Sequence, residues 1–153
     1  MARRWILTLA LLCASAPAAL AADICIRIDS GADAGSAMLL RRVKLSTRSF
    51  GPLYGYFARF EDTPTPGFSE FSPLNGSSVR SSHGPLVLGF TAATAALAPG
   101  GAVAGVAPGV LAGNVACTPT PSGRIEVGSA CTVALGASQP AHIVPCSALP
   151  PPP

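Results

Sequence analysis

The chain has 153 residues, 49% hydrophobic and 11% charged, with ten Lys and Arg against seven Asp and Glu and a net charge of +3. This length suits one domain with its own core, and many apolar residues with little net charge exclude an intrinsically disordered chain. A charge this small cannot neutralise many phosphates, so we expect no nucleic-acid partner.

Residues 1–21 carry the three parts of a secretory signal peptide. Arg3 and Arg4 give a positive start, an uncharged Leu-rich run follows at residues 5–13, and small residues of a cleavage site end at Ala21. The apolar run is too short to span a membrane as a helix. We therefore expect cleavage after Ala21, a secreted or periplasmic protein, and no transmembrane helix in the mature chain.

Apolar residues of the mature chain recur with period two, which predicts β-strands buried on one face. Ile24, Ile26 and Ile28, for example, alternate with Arg27 and Asp29. The stretches expected to fill the core with their apolar inner faces are residues 24–28, residues 54–60 through Tyr54, Tyr56, Ala58 and Phe60, and residues 86–90.

Further strands are predicted where short apolar stretches are separated by Pro, Gly and Ser. These stretches are residues 43–47, 110–118, 124–128, 131–135 and 142–146. Only residues 34–40 and 91–98 have patterns compatible with short helices. Closely spaced short strands with turn signals favour an all-β fold, either a small antiparallel sandwich or a meander barrel of about 7–9 short strands.

Asn75-Gly76 predicts a hairpin turn, because both residues tolerate positive φ. Residues 62–67 contain two prolines and a glycine and are predicted to form a loop. We expect three segments in all: the signal peptide at residues 1–21, a single β domain at residues 22–147, and a Pro-rich disordered tail at residues 148–153.

Residues 81–123 contain no Lys, Arg, Asp or Glu, and their glycines recur every four residues from Gly101 to Gly113. On a helix this spacing would give a face of the kind that packs membrane helices. Pro99 and Pro108 interrupt any such helix, so a strand or loop is the better interpretation.

Four cysteines remain after the leader: Cys25, Cys117, Cys131 and Cys146. An even number in an exported chain predicts two disulfides, and the absence of a C-x-x-C spacing argues against zinc. Three pairings are possible. We favour Cys117 with Cys131, which closes a local loop, and Cys25 with Cys146, which ties the first strand to the last.

No motif in the sequence points to catalysis, a cofactor or a metal. The G-x-S-x-G, H-E-x-x-H, phosphate-loop and G-x-G-x-x-G patterns are all absent. His83 and His142 have no evident carboxylate partner in the sequence, and the acidic pair at residues 61–62 with Glu70 is interpreted as solvated surface charge. We therefore expect a protein that is not an enzyme.

Basic residues are concentrated at Arg41, Arg42, Lys44 and Arg48. A strand would place Arg42, Lys44 and Arg48 on one exposed face, where they could contact an anionic lipid or polysaccharide. The preferred interpretation is a charged face that keeps an edge strand from pairing with other chains.

One segment, residues 68–76 continuing through residues 81–88, resembles the spore coat protein U family, which are secreted bacterial β-sandwich subunits related to chaperone–usher pilins. Phe90 stands where that family carries a strand cysteine. The resemblance implies a structural subunit that assembles by strand exchange through an open sheet edge.

The sequence thus favours an exported, non-enzymatic β domain that acts as a binding or surface-associated protein. Its expected partners are a small apolar ligand, which a barrel of about eight strands can enclose, or other copies of the same chain. A pilin-like subunit is the alternative function, and an uncharacterised enzyme comes third.

Overall fold

The computed structural model describes residues 21–45, 49–61, 67–80, 83–97 and 103–149. Its strands are β1 (Ala21–Ile28), β2 (Ala37–Lys44), β3 (Ser49–Glu61), β4 (Gly67–Arg80), β5 (Leu86–Leu97), β6 (Val103–Cys117), β7 (Ala130–Leu135) and β8 (Ala137–Val144), followed by a short 3-10 helix, Cys146–Ala148. Each strand pairs antiparallel with the next, and β8 pairs with β1 to close an eight-stranded barrel. The predicted all-β fold is confirmed, in its meander-barrel form.

The barrel has two distinct ends because its strands alternate in direction. The connections β1–β2, β3–β4, β5–β6 and β7–β8 lie at one end, which we call the hairpin end. The other three connections lie at the opposite end together with the start of β1 and the chain after β8, and we call this the terminal end.

The interior is filled by the inward apolar side chains of all eight strands. Those fully buried include Ile26, Ile28, Met38, Leu40, Leu53, Phe57, Leu74, Leu86, Leu88, Val115 and Val133. The prediction that residues 24–28 and 86–90 supply inner faces is therefore correct. Eight strands leave an interior just wide enough for side chains, so this is a packed core.

The predicted inner face of β3 is wrong. Leu53 and Phe57 point into the core, whereas Tyr54 is 52% exposed on the outside. Tyr56 and Ala58 also lie on the outer side, in a second small cluster with Cys25 and Leu39 against which Val144 and Leu149 pack. The chain after β8 covers this cluster, so residues on both faces of β3 are buried and their apolar pattern does not reveal the inner one.

The predicted hairpin turn at Asn75-Gly76 is also wrong, because both residues lie within β4. Asn75 pairs with Tyr54 of β3, and Gly76 pairs with Phe90 of β5. A Cβ atom at Gly76 would overlap the carbonyl oxygen of Gly89 on the neighbouring strand. The glycine is thus explained by a close approach of two backbones inside a curved sheet.

Neither stretch compatible with a helix forms one. Residues 37–40 belong to β2, and residues 91–97 belong to β5. Both stretches are rich in Ala, whose helix preference is overridden by pairing with strands on both sides. The Gly-rich residues 103–117 form β6, in agreement with the strand interpretation.

The two favoured disulfides, Cys25–Cys146 and Cys117–Cys131, are both present. The second joins residues that face each other across β6 and β7, and the first attaches the chain after β8 to β1. The proposed leader, apart from Ala21, and the final residues 150–153 lie outside the described residues. Leu149, placed in the predicted tail, is half-buried against the outer cluster.

Candidate functional site

A pocket of about 220 Å³ opens at the terminal end of the barrel. It lies between the start of β1, the connection from β6 to β7 and the end of β8. Its apolar walls come from Ala22, Ile24, Leu45, Ile125, Val127, Ile143, Val144 and Pro145, together with the Cys25–Cys146 disulfide. Sites for drug-sized ligands usually measure about 300–1,000 Å³, so this pocket suits a smaller group.

The connection from β6 to β7 forms one wall of the pocket and is held in place by backbone hydrogen bonds. Thr118 N–H donates to Ala130 O (2.9 Å), Thr120 N–H to Arg124 O (2.8 Å), and Gly128 N–H to Ile143 O (2.8 Å). These bonds bring Ile125 inward until it is only 5% exposed. Val127 follows it on the rim and is 58% exposed.

Arg80, at the end of β4, anchors the terminal end from within. It is 5% exposed, and its guanidinium donates to Leu45 O (2.6 Å), Gly84 O (3.3 Å) and Gly123 O (3.0 Å). Those three carbonyls belong to the three different connections at this end, so one cation holds all of them. Sequence analysis missed Arg80, although it continues the inward alternation of Leu74, Gly76 and Ser78.

Two carboxylates stand at the pocket rim. Asp23 Oδ1 accepts a hydrogen bond from Arg42 N–H at 3.1 Å. Glu126 Oε1 accepts bonds from Thr120 Oγ1 and Ser122 Oγ, each at 2.7 Å. Those hydroxyls, with a smaller contribution from Arg124, lower the pKa of Glu126 below its usual value. Both carboxylates are exposed, with Arg124 close enough to Glu126 to act on it and the N–H of Arg42 bonded to Asp23.

The structure describes part of the predicted basic face. Arg42 and Lys44 are exposed, as are Arg41 and Arg27, whereas Arg48 lies outside the described residues. Arg42 has a φ of 56° at a β-bulge, where residues 40–43 of β2 pair with residues 22–24 of β1. Contact with an anionic partner stays a prediction.

At the opposite, hairpin end the inward side chain of Gln139 meets the β1–β2 connection. Gln139 Nε2 donates to Asp33 Oδ2 at 2.7 Å, and Asp33 N–H donates to Gln139 Oε1 at 2.8 Å. Both side chains are buried. The pair fastens the β1–β2 connection over the interior at this end.

The two histidines lie apart. His142 contacts Asp29 with 2.5 Å between Nδ1 and Oδ1, on the exposed surface where β1 pairs with β8, and His83 lies in the β4–β5 connection. Asp29 could not be predicted as the partner of His142, because the two residues become neighbours only when β1 pairs with β8. In the part of the chain that the structure describes, no group of three His, Cys, Asp or Glu residues could hold a metal ion.

Comparisons with family models, curated proteins and solved structures find no match to this chain. The resemblance to the spore coat protein U family thus gains no support from them. Two disulfides fit an extracellular or periplasmic protein. Within the described ranges, no helix has the length and apolar character needed to cross a membrane.

Proposed function

We propose that the protein is an exported, non-enzymatic binding domain that holds a small apolar group in the pocket at the terminal end of its barrel. The observation that carries this proposal is the pocket itself, about 220 Å³ with mostly apolar walls. Few sites on a packed eight-stranded barrel offer apolar walls to a ligand, because the interior is filled by the protein's own side chains.

The walls of the pocket are held by covalent and hydrogen bonds, which supports a role in binding. One wall contains the Cys25–Cys146 disulfide, and another is the hydrogen-bonded connection that carries Ile125. A pocket formed in advance avoids the entropy cost of ordering loops when the ligand arrives.

The two carboxylates at the rim restrict the chemical class of ligand that the pocket can bind. Asp23 and Glu126 would repel a carboxylate entering beside them. The ligand we propose is therefore an aliphatic group that is neutral or carries a cation, rather than a fatty acid.

Strand exchange, the function of the alternative pilin-like subunit, needs an open sheet edge. Every one of the eight described strands has two paired neighbours, including β1 and β8 with each other. Exchange would require breaking one of these ladders, so the binding domain is the better-supported proposal.

The test is an NMR titration of the mature, oxidised protein with 1-hexanol, n-hexylamine and hexanoate. We expect amide shift changes at residues 22–25 and 125–127 with the alcohol and the amine, and none with hexanoate. Ala22→Phe fills the pocket and should abolish the response. Ala137→Phe, an exposed alanine at the hairpin end, is the matched control and should leave it unchanged.

The proposal fails if neither the alcohol nor the amine shifts these residues at millimolar concentration. It fails equally if Ala22→Phe and Ala137→Phe respond alike. Native mass spectrometry of the same sample, without reductant, is expected to give a monomer that begins at Ala22, and a ladder of oligomers would favour the assembling subunit.

A further inference from the structure

The outward side chains that the structure describes on β3 to β7, within residues 51–58, 72–79, 87–91, 112–116 and 130–134, are all uncharged. Its outward residues with described side chains are Pro52, Tyr54, Tyr56 and Ala58 on β3, Pro73, Asn75, Ser77 and Val79 on β4, Val87, Gly89 and Thr91 on β5, Ala112, Asn114 and Ala116 on β6, and Ala130, Thr132 and Ala134 on β7. Among the strand residues whose side chains are described, the outward charges lie on β1 and β2. Charged residues normally cover a protein surface, so five strands without them form a distinct neutral face.

Strand register places the polar groups of this neutral face in two adjacent rows. Tyr54, Asn75 and Thr91 pair across β3, β4 and β5 in one row. Ser77 and Asn114 lie in the next row, one on each side of Gly89. These polar side chains are exposed, and among the described residues they make no side-chain hydrogen bonds.

Gly89 gives the neutral face a depression. It points outward from β5, and a Cβ atom there would have no other atom within 4 Å. A flat ligand can therefore approach the backbone between Ser77 and Asn114, with amide and hydroxyl groups on both sides of it.

Tyr54, two strands from Gly89 and in the adjacent row, supplies an aromatic surface on the same face and is 52% exposed. The face of an aromatic ring is electron-rich and attracts weakly positive C–H groups, such as those on one side of a sugar ring. Sugar hydroxyls, in turn, can form hydrogen bonds with uncharged donors and acceptors such as those of Asn75, Thr91 and Asn114.

We propose that the neutral face binds a neutral polysaccharide. Its chemistry matches this ligand, since it offers one aromatic ring, several unpaired amides and hydroxyls, and no charge. A second copy of the chain fits less well, because protein interfaces are centred on large aromatic, Met and Arg side chains, whereas most residues here are small. Val79 and Val87 are the only large aliphatic side chains exposed on its described part.

The test is binding of the full mature protein to an array of immobilised neutral glucans, mannans and galactans, with heparin and alginate as anionic comparisons. We expect binding to at least one neutral glycan and little change between 50 mM and 500 mM salt, since screening affects charge contacts alone. Tyr54→Ala should weaken this binding by about tenfold or more. Thr91→Lys, which introduces a charge into the same row as Tyr54 on the far side of Asn75, should weaken it too.

Two controls separate this site from the pocket and from folding. Tyr54→Phe keeps the ring and should retain most of the binding, whereas Val127→Ala alters an exposed residue at the pocket and should change nothing on the array. The proposal is overturned by an array with no neutral glycan bound, by binding to the anionic glycans alone, or by equal binding of Tyr54→Ala and wild type. Dimerisation that Thr91→Lys abolishes, without glycan binding, would assign the face to a second copy.

Discussion

The two ends of the barrel are closed by different means. At the terminal end, two disulfides and the buried Arg80 hold three connections and the chain after β8. At the hairpin end, the described part of the chain has the buried amide of Gln139 paired with Asp33, together with backbone bonds within the β1–β2 connection. The longest connection of the barrel, the 12 residues between β6 and β7, lies at the terminal end, and a longer segment loses more entropy when it is ordered. Strong bonds are therefore found where the most irregular chain must be fixed.

The largest expected effect comes from the disulfides of the terminal end. Replacing Cys25 and Cys146 with Ser should lower the free energy of unfolding by about 5 kcal/mol, and replacing Cys117 and Cys131 by about 3 kcal/mol, because the two bonds span 121 and 14 residues. Chemical denaturation of both double variants measures the difference. Equal losses would show that strain or unfolded-state structure, and not loop length, sets their contribution.

Arg80→Met tests the cation that joins the three connections. The side chain keeps much of its volume but loses every hydrogen bond, which should cost about 3 kcal/mol. Denaturant titration is the measurement, and Arg27→Met, an exposed arginine on β1, is the control that should change stability by less than about 0.5 kcal/mol. If the two variants are equally stable, Arg80 does not hold this end together.

At the hairpin end, Gln139→Leu should cost about 2 kcal/mol, because it removes two hydrogen bonds from buried groups of Asp33. Hydrogen exchange should report the loss mainly in residues 29–36, with little change at residues 118–129. Ser138→Leu, at the exposed neighbouring position, is the control. Increased exchange at both ends would show that they open together, which contradicts the separation described above.

The smallest expected effect is the pH dependence of the β6–β7 connection. The folded-state pKa of Glu126 is lowered by Thr120 and Ser122, so its bonds stabilise the connection above the unfolded-state pKa and are lost as the pH falls through the folded-state pKa. An NMR titration of the Glu126 carboxyl should give a midpoint below 4.5, and Ser122→Ala should raise it. A wild-type midpoint at or above 4.5 would contradict the role of these hydroxyls.

Period-two patterning predicted the all-β class and the inner faces of β1 and β5, because the outward residues of β5 and, apart from Cys25, those of β1 are exposed. The cysteine count and chain positions likewise led to the correct pairing. Residues 54–60 misled the prediction since Tyr56 and Ala58 are covered by the distant residues Val144 and Leu149. A local sequence pattern cannot show that a strand face is buried by residues about 90 positions farther along the chain.

A bulge in β2 was detectable but not predicted. Met38 and Leu40 point inward at even positions and Val43 at an odd one, so the alternation must shift between them, which it does at Arg42. The pocket, by contrast, is assembled from three separate parts of the chain. The pocket forms only when the barrel closes, and no local pattern in the sequence predicts that closure.

Closure between β1 and β8 has a consequence for the order of folding. The first strand of the barrel can complete its pairing only when the last strand is present, because Ile26 pairs with Ile143 and Cys25 is bonded to Cys146. A chain that becomes available with its N-terminus first can form its local hairpins early, yet it cannot complete the barrel until the residues of β8 are free to pair. During that interval β1 has an unpaired edge, so chaperone protection would matter most for the nearly complete chain.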